Sequence, residues 1–251
     1  MRLTGFDGKI ALVTGASGGI GSALVAELTH AGSRVIAADL HLPATPLALE
    51  SHVLDVTRSA DVERLTADIE ARLGPIDLLA SVAGTLATGT VVETSDADWR
   101  RVFAVNTDGV FHLCRAVSAR MMLRSRGAIV VVSSNAAGVP RHSMAAYAAS
   151  KAATTMFTRC LGLELAPHGI RANIVAPGST LTPMQTGMWA DEGGAARVIA
   201  GIPEQFKPGI PLGKLAEPSD VVSSIMFLLS DQAGHITMSD IYVDGGATQR
   251  A

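Results

Sequence analysis

The stretch Thr14-Gly15-Ala16-Ser17-Gly18-Gly19-Ile20-Gly21 decides the fold of this 251-residue chain. It follows an apolar run that begins at Ile10, and it leads directly into a helix-like segment. Because glycine has no Cβ, such a turn can bend sharply and let a pyrophosphate approach the amides at the helix N-terminus. Asp39 ends a second apolar run 18 residues after Gly21, close to where an acid that accepts ribose hydroxyls is expected. The spacing predicts a dinucleotide-binding turn in an α/β fold.

Outward from this turn, short aliphatic runs alternate with longer amphipathic segments. Continuously apolar strands between helices are typical of a parallel sheet that is buried on both faces. We therefore expect a Rossmann-type, doubly wound, seven-stranded parallel sheet in three α/β/α layers, forming one domain over residues 1–251. The predicted strands are Ile10–Thr14, Arg34–Asp39, His52–Val56, Leu78–Val82, Ala128–Ser133, Arg171–Val175 and Ile241–Val243. The predicted helices lie near 19–31, 59–73, 97–123, 145–166 and 218–230.

The least regular segment, at about 179–214, is rich in Gly, Pro and Met. It is much longer than an ordinary connection of about 4 to 6 residues. It follows a predicted strand, and ligands of open α/β sheets bind beyond the carboxyl ends of the strands. We expect this segment to be a substrate lid.

The composition excludes several classes of protein. Charged residues make up 17% of the chain, the formal net charge is −3, and no stretch gathers the basic residues of a nucleic-acid or membrane-surface patch. The aliphatic runs are far shorter than the roughly 18 residues of a membrane span, and the first residues do not resemble a signal peptide. We expect a cytoplasmic protein. Cys114 and Cys160 are expected to be buried thiols, and no His or Cys spacing suggests a metal site.

Tyr147 and Lys151 form a candidate catalytic pair, because a step of four residues on a helix brings two side chains onto one face. A phenol with an ordinary pKa near 10 is a poor base at pH 7, but a nearby ammonium favours the phenolate and lowers that pKa. Tyr147 would then be a usable general base. Ser134 follows a predicted strand and could hydrogen-bond the same substrate oxygen. Tyr242, the other tyrosine, lies in the last predicted strand and is expected in the core or an interface.

These residues, with the glycine turn, Asn106 and the stretch Asn173–Gly178, resemble the short-chain dehydrogenase/reductase family over the whole chain. The resemblance implies that the tyrosine exchanges the substrate hydroxyl proton and that the serine orients the substrate oxygen. It implies that the lysine holds the nicotinamide ribose and lowers the tyrosine pKa, and that Asn106 holds a proton-relay water. One position departs from the family pattern, because Ser81 stands where the family has a structural asparagine.

Asp39 predicts NAD rather than NADP as the coenzyme. Its carboxylate would repel a 2′-phosphate, and no Arg or Lys stands beside it or in the turn to receive one. The pair Asp55-Val56 either flanks the adenine or ends a strand. The coenzyme-binding residues that we expect are Gly15, Ser17, Gly19, Ile20, Gly21, Asp39, Leu40, Asp55, Val56, Ala83, Gly84, Tyr147, Lys151, Pro177, Gly178, Thr180 and Thr182.

The distal half of the chain is similar to one group within this family, the 2,3-dihydro-2,3-dihydroxybenzoate dehydrogenases, which make the catechol acid of siderophore assembly. A carboxylate substrate needs a cation in its pocket, and the planar fork of arginine can bind both oxygens. Arg141, which lies between the serine and the tyrosine, is the first choice, and Lys207 on the lid is the second. Met184 and Gln185 are expected to form pocket wall. The stretches that carry the similarity are Pro140-Arg141, Pro177 to Trp189, Glu204 to Lys207, Gly209 to Lys214 and His235 to Gly246.

Other readings keep the same catalytic group but change the substrate, to trans-2,3-dihydro-3-hydroxyanthranilate or to a hydroxyacyl or other cyclic alcohol. An acyl-carrier reductase is disfavoured, because such enzymes usually prefer NADPH. A non-catalytic nucleotide-sensing protein is disfavoured because it would not need a tuned phenol. The segment Ala145 to Leu165 is apolar or small on several faces, and the family pairs its long central helices. We expect a homotetramer.

Overall fold

The computed structural model describes residues 2–42 and 47–249, which contain a seven-stranded parallel sheet. Its strands are β1 (Ile10–Thr14), β2 (Arg34–Asp39), β3 (Glu50–Val53), β4 (Ile76–Ser81), β5 (Gly127–Val132), β6 (Ile170–Pro177) and β9 (Asp240–Val243). The strand order is β3-β2-β1-β4-β5-β6-β9, so the chain reverses its direction of growth between β1 and β4. Ligands of open α/β sheets bind at such a reversal. The predicted Rossmann-type sheet is confirmed.

Helices cover both faces of the sheet. They are α1 (Gly19–His30), α2 (Ser59–Arg72), α3 (Asp96–Phe103), α4 (Gly109–Arg124), α5 (Ala145–Leu165), α6 (Pro183–Thr186), α7 (Gly194–Ala200) and α8 (Pro218–Leu229). One apolar cluster packs α2, α4 and α5 against one face, and a second packs α1 and α8 against the other. Every residue of β1 and β4 is buried, which explains why these strands are continuously apolar in the sequence.

A single π-helical turn, Ala104–Asp108, separates α3 from α4. The N–H of Gly109 donates to the carbonyl of Ala104, five residues back, where a regular helix would use the fourth. The sequence pattern predicts one helix over 97–123 and does not reveal this widening. Asn106 lies in the middle of the turn and is fully buried.

The third strand differs from its prediction by a few residues. It was expected at His52–Val56 and is found at Glu50–Val53. Leu54 and Val56 are buried in the loop that follows. Their burial in irregular backbone produces the same apolar pattern as a strand.

The prediction that both cysteines are buried is wrong for Cys160, which is exposed, while Cys114 is buried. Cys160 shares a face of α5 with Met156 and Leu163, four residues before it and three after, and these two side chains are also exposed. The apolar character of this face reflects an uncovered surface and not the core.

The expected lid contains secondary structure of its own. It holds α6, α7 and a short antiparallel pair formed by β7 (Gly201–Ile202) and β8 (Lys207–Pro208). Across residues 2–42 and 47–249, no group of three or more His, Cys, Asp or Glu side chains could hold a metal ion. Over the same residues, the helices are too short or too polar to cross a membrane.

Candidate active site

A cavity of about 620 Å³ lies where the chain leaves β4, β5 and β6, and the lid forms its opposite wall. It brings together three of the four predicted catalytic residues, part of the predicted coenzyme set and all the predicted substrate residues. The predicted site residues that line it are Ile20, Gly84, Ser134, Arg141, Tyr147, Lys151, Pro177, Gly178, Thr180, Thr182, Met184, Gln185 and Lys207.

Ser134, Tyr147 and Lys151 meet at the base of this cavity. Ser134 follows β5 in extended backbone, and its hydroxyl accepts a hydrogen bond from the N–H of Ala136 at 3.1 Å. It is also hydrogen-bonded to the Tyr147 side chain. Tyr147 lies in the first turn of α5, and Lys151 follows one turn later with its Nζ 5.9 Å from the centre of the tyrosine ring.

Burial controls the protonation of this pair. It lowers the pKa of Lys151 to about 8, and the Lys151 Nζ donates to the carbonyl of Val132 at 2.9 Å. Burial also raises the pKa of Tyr147, while the hydrogen bond with Ser134 acts in the opposite direction. Without coenzyme the pKa of Tyr147 therefore lies above its ordinary value, because loss of water around the phenol dominates, and a lowering of this pKa by Lys151 stays a prediction.

Asn106 does not line the cavity but stands directly behind its wall. Its Oδ1 accepts from the N–H of Thr85 at 2.8 Å, and its Nδ2 donates to the carbonyl of Thr85 at 2.9 Å and to the Ser150 hydroxyl at 3.0 Å. Its own carbonyl accepts from the Thr154 hydroxyl at 2.6 Å. A water held by Asn106 stays a prediction, and the hydrogen bonds present indicate that Asn106 positions the segment after β4.

The glycine turn fits a dinucleotide. Gly15 has a φ of +69°, and a Cβ on it would lie 2.6 Å from the backbone nitrogen of Ala83, so the turn needs a residue without a side chain. The turn leads into the N-terminus of α1, where amides favour a phosphate. Asp39 ends β2 beside this turn and accepts from the N–H of Ser17 at 2.9 Å. Within the described residues, Asp39 forms no ion pair, so its charge remains available to ribose hydroxyls.

Some of the remaining coenzyme candidates line the cavity, and others lie outside it. Thr182 packs against Gly19, so the start of the lid closes onto the glycine turn. Leu40 is exposed beside Asp39. Asp55 accepts hydrogen bonds from the N–H and the hydroxyl of Thr57, which caps a turn after β3. Leu40 and Asp55 lie outside the cavity. So do the other predicted coenzyme residues Gly15, Ser17, Gly19, Gly21, Asp39, Val56 and Ala83.

Ser81, the departure from the family pattern, is buried at the end of β4 and pairs with Thr14 and Val131 on the neighbouring strands. The Thr14 hydroxyl is buried and has no hydrogen-bond partner among residues 2–42 and 47–249. Ser81 thus lies beside a buried hydroxyl of β1 that it does not bond.

Two cations, Arg141 and Lys207, face the same cavity from opposite walls of the site. Burial lowers the pKa of both, and Arg141 lowers that of Lys207 further, which places their charges within reach of each other. Asp244 raises the pKa of Arg141 at longer range. In the described part of the chain, neither cation forms an ion pair. The arrangement is suited to a ligand that brings negative charge.

Several lining residues were not assigned from the sequence. They come from the loop after β4, the loop before α5, the lid and the segment after β9, and include Leu86, Thr88, His142, Met144, Met188, Trp189, Arg197, Phe206, Ile210 and Ala247. Most are apolar or lie in irregular segments, where neither periodicity nor motif spacing marks a residue as facing a site. Trp189 was noted only as part of a resembling stretch.

The fold and this site define a coenzyme-dependent dehydrogenase. The chain belongs to the short chain dehydrogenase family, whose model matches residues 9–193 and whose Rossmann-type fold binds a nicotinamide coenzyme. It is 52% identical to the 2,3-dihydro-2,3-dihydroxybenzoate dehydrogenase of Bacillus subtilis strain 168, with 99% of each chain covered. It is 42% identical to the enzyme of the same name from Escherichia coli K12, with 97% and 98% covered. A gluconate 5-dehydrogenase from Burkholderia cenocepacia, solved with NADP and tartrate, superposes with a TM-score of 0.89 at 29% identity, with 98% and 97% covered.

Proposed function

We propose that this protein oxidises 2,3-dihydro-2,3-dihydroxybenzoate to 2,3-dihydroxybenzoate, with NAD as the hydride acceptor, as a step of catechol siderophore biosynthesis. The observation that carries the proposal is the cavity in which Arg141 and Lys207 stand near Ser134 and Tyr147. A substrate that bears a carboxylate and a secondary hydroxyl would use both pairs of residues. The names of the two relatives support the same substrate.

The protein's own residues supply the proton chemistry. Tyr147, as the phenolate, removes the proton from the ring C3 hydroxyl, while Ser134 hydrogen-bonds the same oxygen. When bound, the oxidised nicotinamide would accept the hydride from C3. Its positive charge would lower the pKa of Tyr147 and so oppose the effect of burial. In this proposal Lys151 holds the nicotinamide ribose. The C3 ketone then tautomerises to an aromatic ring, which makes the oxidation effectively one-way.

NAD is proposed over NADP because of Asp39. The carboxylate lies next to the glycine turn, bonded to the Ser17 amide, where the adenosine ribose of a dinucleotide would lie. A 2′-phosphate at that place would bring its charge close to the carboxylate. The remaining predicted coenzyme residues, Asp55 among them, are proposed to bind the dinucleotide. Thr57 bonds only the Oδ1 of Asp55, so a second carboxylate oxygen remains for the adenine.

One assay tests the proposed function. The protein is incubated with NAD and, in separate reactions, with 2,3-dihydro-2,3-dihydroxybenzoate, with trans-2,3-dihydro-3-hydroxyanthranilate and with an uncharged cyclic alcohol. NADH formation and the aromatic product are measured together. We expect the highest kcat/KM with the dihydroxy acid. Faster oxidation of the amino acid or of the uncharged alcohol would reassign the substrate, and no turnover of any of them would favour a nucleotide-sensing role.

We also propose that the protein is a cytoplasmic homotetramer. The neighbouring helices α4 and α5 expose large apolar side chains, among them Phe111, Leu123, Met156 and Leu163. Leu123 is 89% exposed, which is costly for an isolated chain in water. Sedimentation at micromolar concentration is expected to give four chains per particle, and a monomer would contradict the proposal.

A further inference from the structure

The lid residue Trp189 has an unsatisfied hydrogen-bond donor. Its indole Nε1 is buried and finds no acceptor among the residues that the structure describes. A buried tryptophan N–H usually has a partner, because leaving a donor without one is unfavourable. Trp189 also lines the cavity that holds Ser134 and Tyr147. An acceptor is therefore expected to come from whatever fills that cavity.

The indole ring is held in place before any ligand arrives. A Cβ on Gly194, at the start of α7, would lie 2.6 Å from Cδ2 and 2.7 Å from Cβ of Trp189, so the ring packs directly on the glycine backbone. The turn in front of Gly194 is also fixed. Asp191 accepts from the N–H of Gly193 at 2.8 Å and pairs with Arg197 at 2.9 Å. The lid itself thus fixes the ring, and a ligand would reach the N–H by displacing the atoms that now cover it.

The chemistry of the cavity indicates the acceptor. Arg141 and Lys207 line the same space, and neither is neutralised by an ion pair with a residue that the structure describes. Two such cations select an oxygen that carries negative charge. A carboxylate has two oxygens and about four sites for donors, more than a single cation uses.

We propose that the Trp189 Nε1 donates a hydrogen bond to the substrate carboxylate and so acts as a substrate-specificity residue alongside Arg141 and Lys207. The inference rests on the proposed function for the identity of the acid. It assigns to the lid a polar contact that would form only when substrate is bound.

The Trp189→Phe variant tests the donor while keeping an aromatic ring on Gly194. Dissociation constants are measured by calorimetry at saturating NADH for 2,3-dihydroxybenzoate, benzoate and catechol. We expect both acids to bind roughly 10-fold more weakly than to wild type, and catechol, which lacks the carboxylate, to change by less than about twofold. The Tm should be unchanged or higher, because an unsatisfied donor is removed.

Trp99→Phe is the matched control, since Trp99 is the other tryptophan and stacks on Phe103 at 4.6 Å outside the cavity. It should leave all three constants unchanged. A second variant, Gly194→Ala, keeps the indole but displaces it, and should weaken the acids by a similar factor. Unchanged acid binding in Trp189→Phe, or an equal loss for catechol, would overturn the donor role.

The outcomes separate this inference from the proposed function. If wild type does not oxidise the diene acid, but benzoate binding still depends on Trp189, the function is wrong and the donor stands. If wild type oxidises the diene acid and Trp189→Phe binds the acids normally, the donor is wrong and the function stands. Wild type that binds catechol as tightly as either acid would overturn the carboxylate contact, whereas the function is decided by oxidation of the diene acid alone.

Discussion

Asn106 and Thr85 exchange two hydrogen bonds, with the Asn106 carboxamide bonding the N–H and the carbonyl of one residue at 2.8 and 2.9 Å. These bonds fix the segment that includes Gly84 at the cavity wall. Gly84 lies close to both Asn106 and Lys151, since a Cβ on it would be 3.4 Å from Asn106 Oδ1 and from Lys151 Nζ. Asn106→Ala would leave both backbone groups of Thr85 unpaired. We expect it to cost about 2 kcal/mol or more of unfolding free energy and at least about 10-fold in kcat/KM.

A second buried asparagine provides the control for this variant. Asn173 bonds the carbonyl of Ile236 at 2.8 Å and the N–H of Ser239 at 3.1 Å, but the segment that it holds does not line the cavity, unlike Gly84 and Leu86 beside Thr85. Asn173→Ala should lower the unfolding free energy by a similar amount and leave kcat/KM nearly unchanged. An equal loss of activity in both variants would reduce Asn106 to a structural role.

Tyr147→Phe should remove the proton acceptor and keep the packing of the ring. We expect kcat to fall by at least the roughly 10²- to 10⁴-fold typical of general acid-base catalysis, with NADH binding retained. Stopped turnover with an unchanged NADH dissociation constant would support the assignment. Tyr242→Phe, in β9, should keep its activity, and a Tyr147→Phe variant that still turned over would exclude the tyrosine as the base.

Lys151 should make the stability of the coenzyme-free protein depend on pH. Its pKa is about 8 when folded and 10.5 in its ordinary state, so between these values the unfolded chain holds a proton that the folded chain has lost. The unfolding free energy of wild type therefore rises with pH over this range through this group. Below about pH 8 the folded protein carries a buried ammonium, which costs up to about 3 kcal/mol.

Lys151→Met removes that cost together with the activity. The difference in unfolding free energy, variant minus wild type, should be most favourable to the variant at pH 7 and should decrease as pH rises from 8 to 10.5. Denaturant titrations at several pH values measure it. Lys214→Met, at an exposed lysine, should show a flat difference, and a flat profile for Lys151→Met would mean that burial does not perturb this group.

Asp39→Asn should reduce the preference for NAD over NADP. The variant loses the charge that would repel a 2′-phosphate and weakens the bonds to the ribose hydroxyls. We expect kcat/KM with NAD to fall by roughly 10- to 100-fold and the ratio of NAD to NADP activity to fall further. Wild type that already preferred NADP would contradict the assignment of Asp39 to the ribose.

Arg141→Ala should raise KM for an acid substrate by roughly 10- to 100-fold and change KM for an uncharged cyclic alcohol little. The guanidinium is half-buried at the cavity with no ion pair to a described residue, so its loss removes a partner of the ligand. Lys207→Met is the comparison. A larger effect from the lysine would transfer the carboxylate role to the lid, and equal effects on both substrates would remove Arg141 from it.

The sheet and the reaction centre were accessible from the sequence because their signals are local. A strand buried on both faces is continuously apolar, as at Ile10–Thr14, and a step of four residues on a helix places Tyr147 and Lys151 on one face wherever the helix packs. These features depend on chain geometry alone and not on what surrounds them.

Features set by the surroundings could not be predicted in this way. Cys160 lies in an apolar stretch, but whether that face of α5 is covered depends on neighbours outside the helix. The pKa of Tyr147 depends on how much water remains around it, which spacing does not report. Trp189 joins the site only because Gly194 supports its ring, a contact between two lid positions with no sequence signature.

The widened helical turn at Ala104–Asp108 makes chain length itself a sensitive variable at this position. Each residue of an α-helix advances the chain by about 100° around the axis. Five residues of a π-helix turn through nearly the same angle as about four residues of an α-helix, so loss of one codon within the turn would restore a continuous helix and leave α3 and α4 close to their present orientation. A one-residue deletion here is therefore expected to disturb the contact between Asn106 and Thr85 without displacing the two helices.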